Sequence, residues 1–130
     1  LALYERVLAR DGNNVLALNN AAFAAGQLGE PKAALTFAER AFARAPRSAP
    51  IADTYGWVLT RNGQHAKALE VLDKARREPG ALPDMEHHYA MALMGLGHRR
   101  DAMVVLDTVL EANVPFASRA EAIALRATLE

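Results

Sequence analysis

The 130-residue chain has no cysteine. That excludes a disulfide framework and any thiolate metal centre, and it fits cytoplasm and periplasm alike, so the compartment stays open. An excess of charge of one sign is also missing, because 15 Lys and Arg balance 15 Asp and Glu. No long-range field draws such a chain to nucleic acid or anionic lipid, and the doublets Arg76-Arg77 and Arg99-Arg100 read as solvated helix ends. No nucleic-acid partner is expected. No apolar run approaches the roughly 20 residues of a membrane span, so no direct span is expected either. The chain opens at Leu1 without an initiator Met or a basic leader, and reads as a piece of something longer.

The constellations of catalysis are absent as well. There is no glycine-rich phosphate loop and no nucleophile elbow, and Asp53, Asp73, Asp84 and Glu86 have no spacing that demands an acid and base pair. Of the four histidines, His87 and His88 are adjacent and project about 100° apart on a helix, and neither has a histidine four residues away. His65 and His98 sit near turns. The expectation is no enzyme, no metal and no cofactor.

What the chain has is alanine, more than a fifth of its residues, with glycine and proline only at intervals. Local preference is therefore for helix nearly throughout. Superimposed on it is a period. Gly29, Gly63 and Gly97 are spaced by 34, as are Ala34, Ala68 and Ala102, and Ala41, Ala75 and Val109 follow the same step. Full repeats run over 15–48, 49–82 and 83–116, each a helix, a glycine turn, a second helix and a break. Residues 1–14 match the second half of a repeat and 117–130 the first half of another, which predicts eight helices in one domain over 1–130. Pro31 fits a first helical turn, Ser48 a helix N-cap, and breaks fall at Asp11-Gly12, Pro46, Pro79-Gly80 and Pro115.

These ladders resemble the tetratricopeptide repeat family. Its small eighth residue is Ala22, Gly56 and Ala90 here, and its alanine-like twentieth and twenty-seventh residues are the two ladders above. Small side chains there let paired helices cross closely. The pattern departs from the family at the fourth position, where Leu18, Ala52 and Glu86 replace a large aromatic, and at Gly80, which replaces a proline. The resemblance implies an all-α, right-handed α-α superhelix of antiparallel helix pairs, with a concave groove lined by the first helix of each repeat. "DTYGWVL" and "RAEAIALRATL" are also similar to C-terminal repeats of bacterial proteins associated with exopolysaccharide secretion and PEP-CTERM sorting.

The lone tryptophan, Trp57, stands off the stripe of Tyr55, Val58, Leu59 and Asn62 that predicts the buried face of its helix. It is the ninth residue of its repeat, and its counterparts are Phe23, Met91 and Leu125. Asn19, Asp53, Arg61, His87 and Met94 lie beside them. An apolar stripe rimmed by polar groups suits a peptide or helix, with anchors supplying desolvation and polar neighbours the register. Trp57 is expected to be partly accessible and to contribute to binding. The alternative is that a tight superhelix buries Trp57 and Phe23 against adjoining inner helices as core.

Chaperone-binding members of the family hold a terminal carboxylate with Lys, Arg and Asn on inner helices. The matching positions here carry Asn19, Phe23, Thr54, Asp84 and His88, so that clamp is missing. The expected function is a non-catalytic protein-interaction scaffold, part of a larger bacterial protein, that binds a protein or peptide in its groove. The alternative is a structural or self-association module of an envelope or exopolysaccharide secretion assembly, pairing through Leu1, Tyr4, Val7 and Leu8. Arg119, Arg126 and Glu130 replace mostly apolar counterparts and share one face, which predicts a solvating cap over 117–130 with Glu130 at or near the C-terminus.

Overall fold

A computed structural model describes residues 1–130. Eight helices follow in order: α1 (Ala2–Arg10), α2 (Val15–Gln27), α3 (Pro31–Arg44), α4 (Ala49–Arg61), α5 (His65–Arg76), α6 (Pro83–Gly95), α7 (Arg99–Glu111) and α8 (Arg119–Thr128). There is no strand. Proline lies in the first turns of α3, α4 and α6, where its missing N–H costs nothing. At α2, Asn14 caps the helix by accepting from the Ala17 N–H at 2.9 Å. Ser48 occupies the N-cap of α4, as its place before Ala49-Pro50 predicts, though its side chain makes no capping hydrogen bond.

The glycine ladder has a single structural cause. Gly29, Gly63 and Gly97 have φ of 75°, 75° and 80°, a left-handed conformation that a side chain resists. Each closes a helix in the same way, because the following N–H reaches back to a carbonyl of the last turn: Glu30 to Ala25, Gln64 to Leu59 and His98 to Leu93.

The helices form two layers. Pairs α2–α3, α4–α5 and α6–α7 pack antiparallel, and successive first helices also pack on one another: α2 on α4, α4 on α6 and α6 on α8. The backbones of α3, α5 and α7 do not approach one another in the same way. An array close on one layer and splayed on the other must curve, and the first helices lie on its concave side.

Small residues sit at the crossings. Ala34, Ala68 and Ala102 are buried, as are Ala22 and Ala90. At Gly56 a Cβ would lie 2.4 Å from Leu72 Cγ, so α4 and α5 meet at a distance only glycine permits. Glu86, standing where the family pattern has an aromatic, accepts from Arg76 Nε at 2.9 Å, and the guanidinium lies 4.2 Å from the Tyr89 ring centroid. An ion pair backed by a cation–π contact ties α5 to α6 there. The charged face foreseen on α8 is only partly open. Arg126 pairs with Asp107 of α7, its side chain 22% exposed, and Arg119 reaches Asn113 and the Val114 carbonyl.

Candidate functional site: the concave groove

Because α2, α4 and α6 run parallel, their ninth residues fall side by side. Phe23, Trp57 and Met91 line one groove of about 460 Å³, with Asp53, Arg61 and His87 from the expected set. The structure brings these six together and leaves out three. Met94 and Leu125 pack into the apolar cluster around Leu93, Leu106 and Leu129, where α6, α7 and α8 meet. Asn19 is partly buried outside the groove, its Oδ1 without a hydrogen-bond partner.

Trp57 differs from its expected state, being only 9% exposed. Its six-membered ring lies against Gly26, where a Cβ would come within 2.6 Å of Cζ3. The Phe23 ring centroid is 5.3 Å away, and the Arg61 guanidinium lies over the indole at 5.1 Å. Neighbouring inner helices therefore enclose the indole, as the alternative reading had it, and Trp57 forms the groove floor. Phe23, at 51% exposed, is the aromatic that faces solvent. Two further expected rim groups, Asp53 and His87, are buried as well.

Polar chemistry is concentrated between α4 and α6. His88 Nδ1–H donates to Asp53 Oδ1 at 2.5 Å; a carboxylate only accepts, so the proton belongs on this nitrogen. His87 stacks beside His88, ring centroids 5.1 Å apart. Burial, then the nearby His88 charge, push the His87 pKa down from 6.5 to about 4, keeping it neutral at pH 7. Asp84 Oδ1 accepts from the backbone N–H and hydroxyl of Ser118, at 2.7 and 2.6 Å, which fixes the start of α8.

Sequence reasoning did not place His88, Asp84, Thr54, Gln27, Ser118 or Glu121 in the groove, yet all line it. Thr54, Asp84 and His88 entered there only as residues unsuited to a carboxylate clamp, to acid–base pairing (Asp84) or to metal ligation (His88). Their repeat positions held the available signal: Asp84 and Ser118 are second residues, Glu121 a fifth, Thr54 and His88 sixth and Gln27 a thirteenth, all within about 100° of the fifth position on one side of the helix. A somewhat larger cleft, about 530 Å³, opens between Phe42, the α3–α4 turn and α5. It follows from the splay of α3 and α5 and has Phe42 as its one aromatic, whereas the concave groove has two.

The sequence model of the tetratricopeptide repeat family matches residues 11–113. Among solved structures, the fold is similar to that of PilW, described as a widely conserved type IV pilus biogenesis factor, with a TM-score of 0.79 and 25% identity over 97% of this chain. It is also similar to MamA, with a TM-score of 0.72 and 18% identity over 83% of this chain. The chain spans 60% of the PilW chain and 63% of the MamA chain. No curated protein matches it. These matches lend nothing to the resemblance to exopolysaccharide-associated repeats.

Proposed function

The chain belongs to the tetratricopeptide repeat family, whose arrays are protein-interaction scaffolds, and from that premise we propose that it grips a peptide segment of a partner protein in the Phe23–Trp57–Met91 groove without catalysing a reaction. The observation that carries this reading is the half-exposed Phe23 ring supported from below by a fixed indole. An aromatic held rigid by a neighbour loses little freedom when a ligand covers it, so its apolar area becomes affinity with little ordering cost. Likeness to PilW favours a setting in the assembly of a bacterial envelope structure.

The test is a photo-crosslinking amino acid placed at Phe23 in the full-length protein in its own cells, with the exposed outer position Glu39 as control. A protein adduct from Phe23 and none from Glu39 is expected. Equal adducts from both positions, or an adduct from Glu39 alone, would remove the groove from the account.

A second reading, self-association through α1, is favoured by one observation. No residue of α1 is fully buried, and Leu3 is 67% exposed. Leu1 and Leu8 turn inward against apolar clusters, so Leu3 is the residue that would meet another copy. Light-scattering mass of wild type and Leu3→Glu decides it: a dimer lost in the variant supports pairing, and a monomer in both refutes it.

A further inference from the structure

The charges along the groove are not equally available to a ligand. Six titratable side chains line it: Asp53, Arg61, Asp84, His87, His88 and Glu121. Asp53 is held by His88, Asp84 by Ser118, and His87 is neutral. Two remain. Arg61 is exposed and has no carboxylate partner; its guanidinium rests over the Trp57 indole and reaches the Gly26 carbonyl at 3.4 Å. Glu121 is exposed and makes no ion pair.

Their positions are opposed. Arg61 is the last residue of α4, and Glu121 lies in the first turn of α8, two inner helices further along. Because the inner helices are parallel, the cation stands at one lip of the groove and the anion at the other, with Trp57 and Met91 between. Inner helices about 9 Å apart and eight residues of rise at 1.5 Å each place the two backbones on the order of 20 Å apart.

We propose that the groove selects an extended peptide segment that carries a carboxylate side chain for Arg61, a basic side chain for Glu121 about six residues away, and an apolar or aromatic side chain between them for Trp57 and Met91, with Phe23 of α2 extending the apolar floor beyond Trp57. The proposal rests on the groove being the binding site. The span favours an extended occupant. At about 3.3 Å per residue, six residues cover the diagonal, whereas a helix needs about 14 residues to reach from one charge to the other. The charge arrangement also fits the helix dipoles: Arg61 adds to the negative end of α4 and Glu121 to the positive end of α8, so both are stable at these ends while unpaired. A ligand carboxylate at Arg61 meets a guanidinium already oriented by the indole beneath it, which favours a directed hydrogen bond over diffuse attraction.

The probe is a phage-displayed library of random 12-residue peptides, selected in parallel on wild type, Arg61→Glu and Phe23→Ala, each checked for native helicity. Wild type should enrich peptides pairing an acidic and a basic residue five to seven positions apart around an apolar one. Arg61→Glu should lose the acidic preference. A synthetic peptide from the wild-type selection should bind about two- to fivefold more weakly to Arg61→Gln and to Glu121→Gln, the size expected of one exposed charge pair. The differences should shrink at high salt. If wild type and Arg61→Glu enrich the same sequences while Phe23→Ala enriches none, the groove binds peptide but the charge rule is wrong. If Phe23→Ala enriches the same binders as wild type, the groove is not the site, and both readings fall.

Discussion

Replacing Gly26 with alanine tests the packing beneath the groove, because two effects of known sign oppose each other there. Gly26 lies within α2, and an exposed helical glycine changed to alanine gains about 1 kcal/mol from backbone propensity. At this site the new Cβ would lie 2.6 Å from Trp57 Cζ3 and 2.7 Å from Cη2. Ordinary carbon contacts are near 3.5 to 4 Å, so the indole must move by roughly 1 Å or α2 and α4 must part. Trp57 has little room to move, with Phe23 and Arg61 against its rings. Overpacking of this kind costs about 1 to 3 kcal/mol. The net expectation is destabilisation by up to about 2 kcal/mol, which at this chain length lowers Tm by several degrees. The decisive measurement is a double-mutant cycle by urea denaturation followed by far-ultraviolet circular dichroism. In a Trp57→Leu background the clash is gone, and Gly26→Ala should become neutral or stabilising by up to about 1 kcal/mol. Identical effects in the two backgrounds would mean that the indole does not rest on α2, and the enclosure of Trp57 described here would be refuted.

Ala68 is fully buried at the α4–α5 crossing, so Ala68→Leu should cost about 1 to 3 kcal/mol, read as a lower urea midpoint; an unchanged midpoint would contradict the crossing. His87 is held neutral with its pKa near 4, below the 6.5 of an exposed histidine, so the unfolded chain binds the extra proton first. Its contribution to stability is complete above about pH 6.5 and is lost as pH falls toward 4, by at most about 3 kcal/mol. Urea midpoints at pH 7.5 and 4.5 should therefore differ more for wild type than for His87→Leu, with His88, Asp84 and Glu121 common to both; an equal difference would deny His87 this role. Acrylamide should quench Trp57 fluorescence far less in the native protein than in urea, since only 9% of the residue is exposed, and native quenching near the unfolded value would place the indole outside the stack.

The sequence by itself determined the repeat. A left-handed turn needs glycine and a close crossing needs alanine, and both demands are local, so they recur every 34 residues in plain view at Gly29, Gly63 and Gly97 and at Ala34, Ala68 and Ala102. It also aligned Phe23, Trp57 and Met91, because parallel helices at a fixed period bring equivalent residues side by side. How far each of these is covered was decided only by tertiary structure. Helical periodicity places a side chain on a face but does not say how near the next helix lies. Trp57 is enclosed because Gly26, 31 residues earlier, leaves room for its ring, while Phe23 one repeat before remains half open. Pairing between repeats was equally invisible. Asp53 and His88 are 35 residues apart, and their contact depends on the distance and rotation between α4 and α6, set by side chains packed along the whole interface. The packing of α8 on α6 and α7 likewise turned Met94 and Leu125 against the apolar cluster there and brought Glu121 to the lip of the groove.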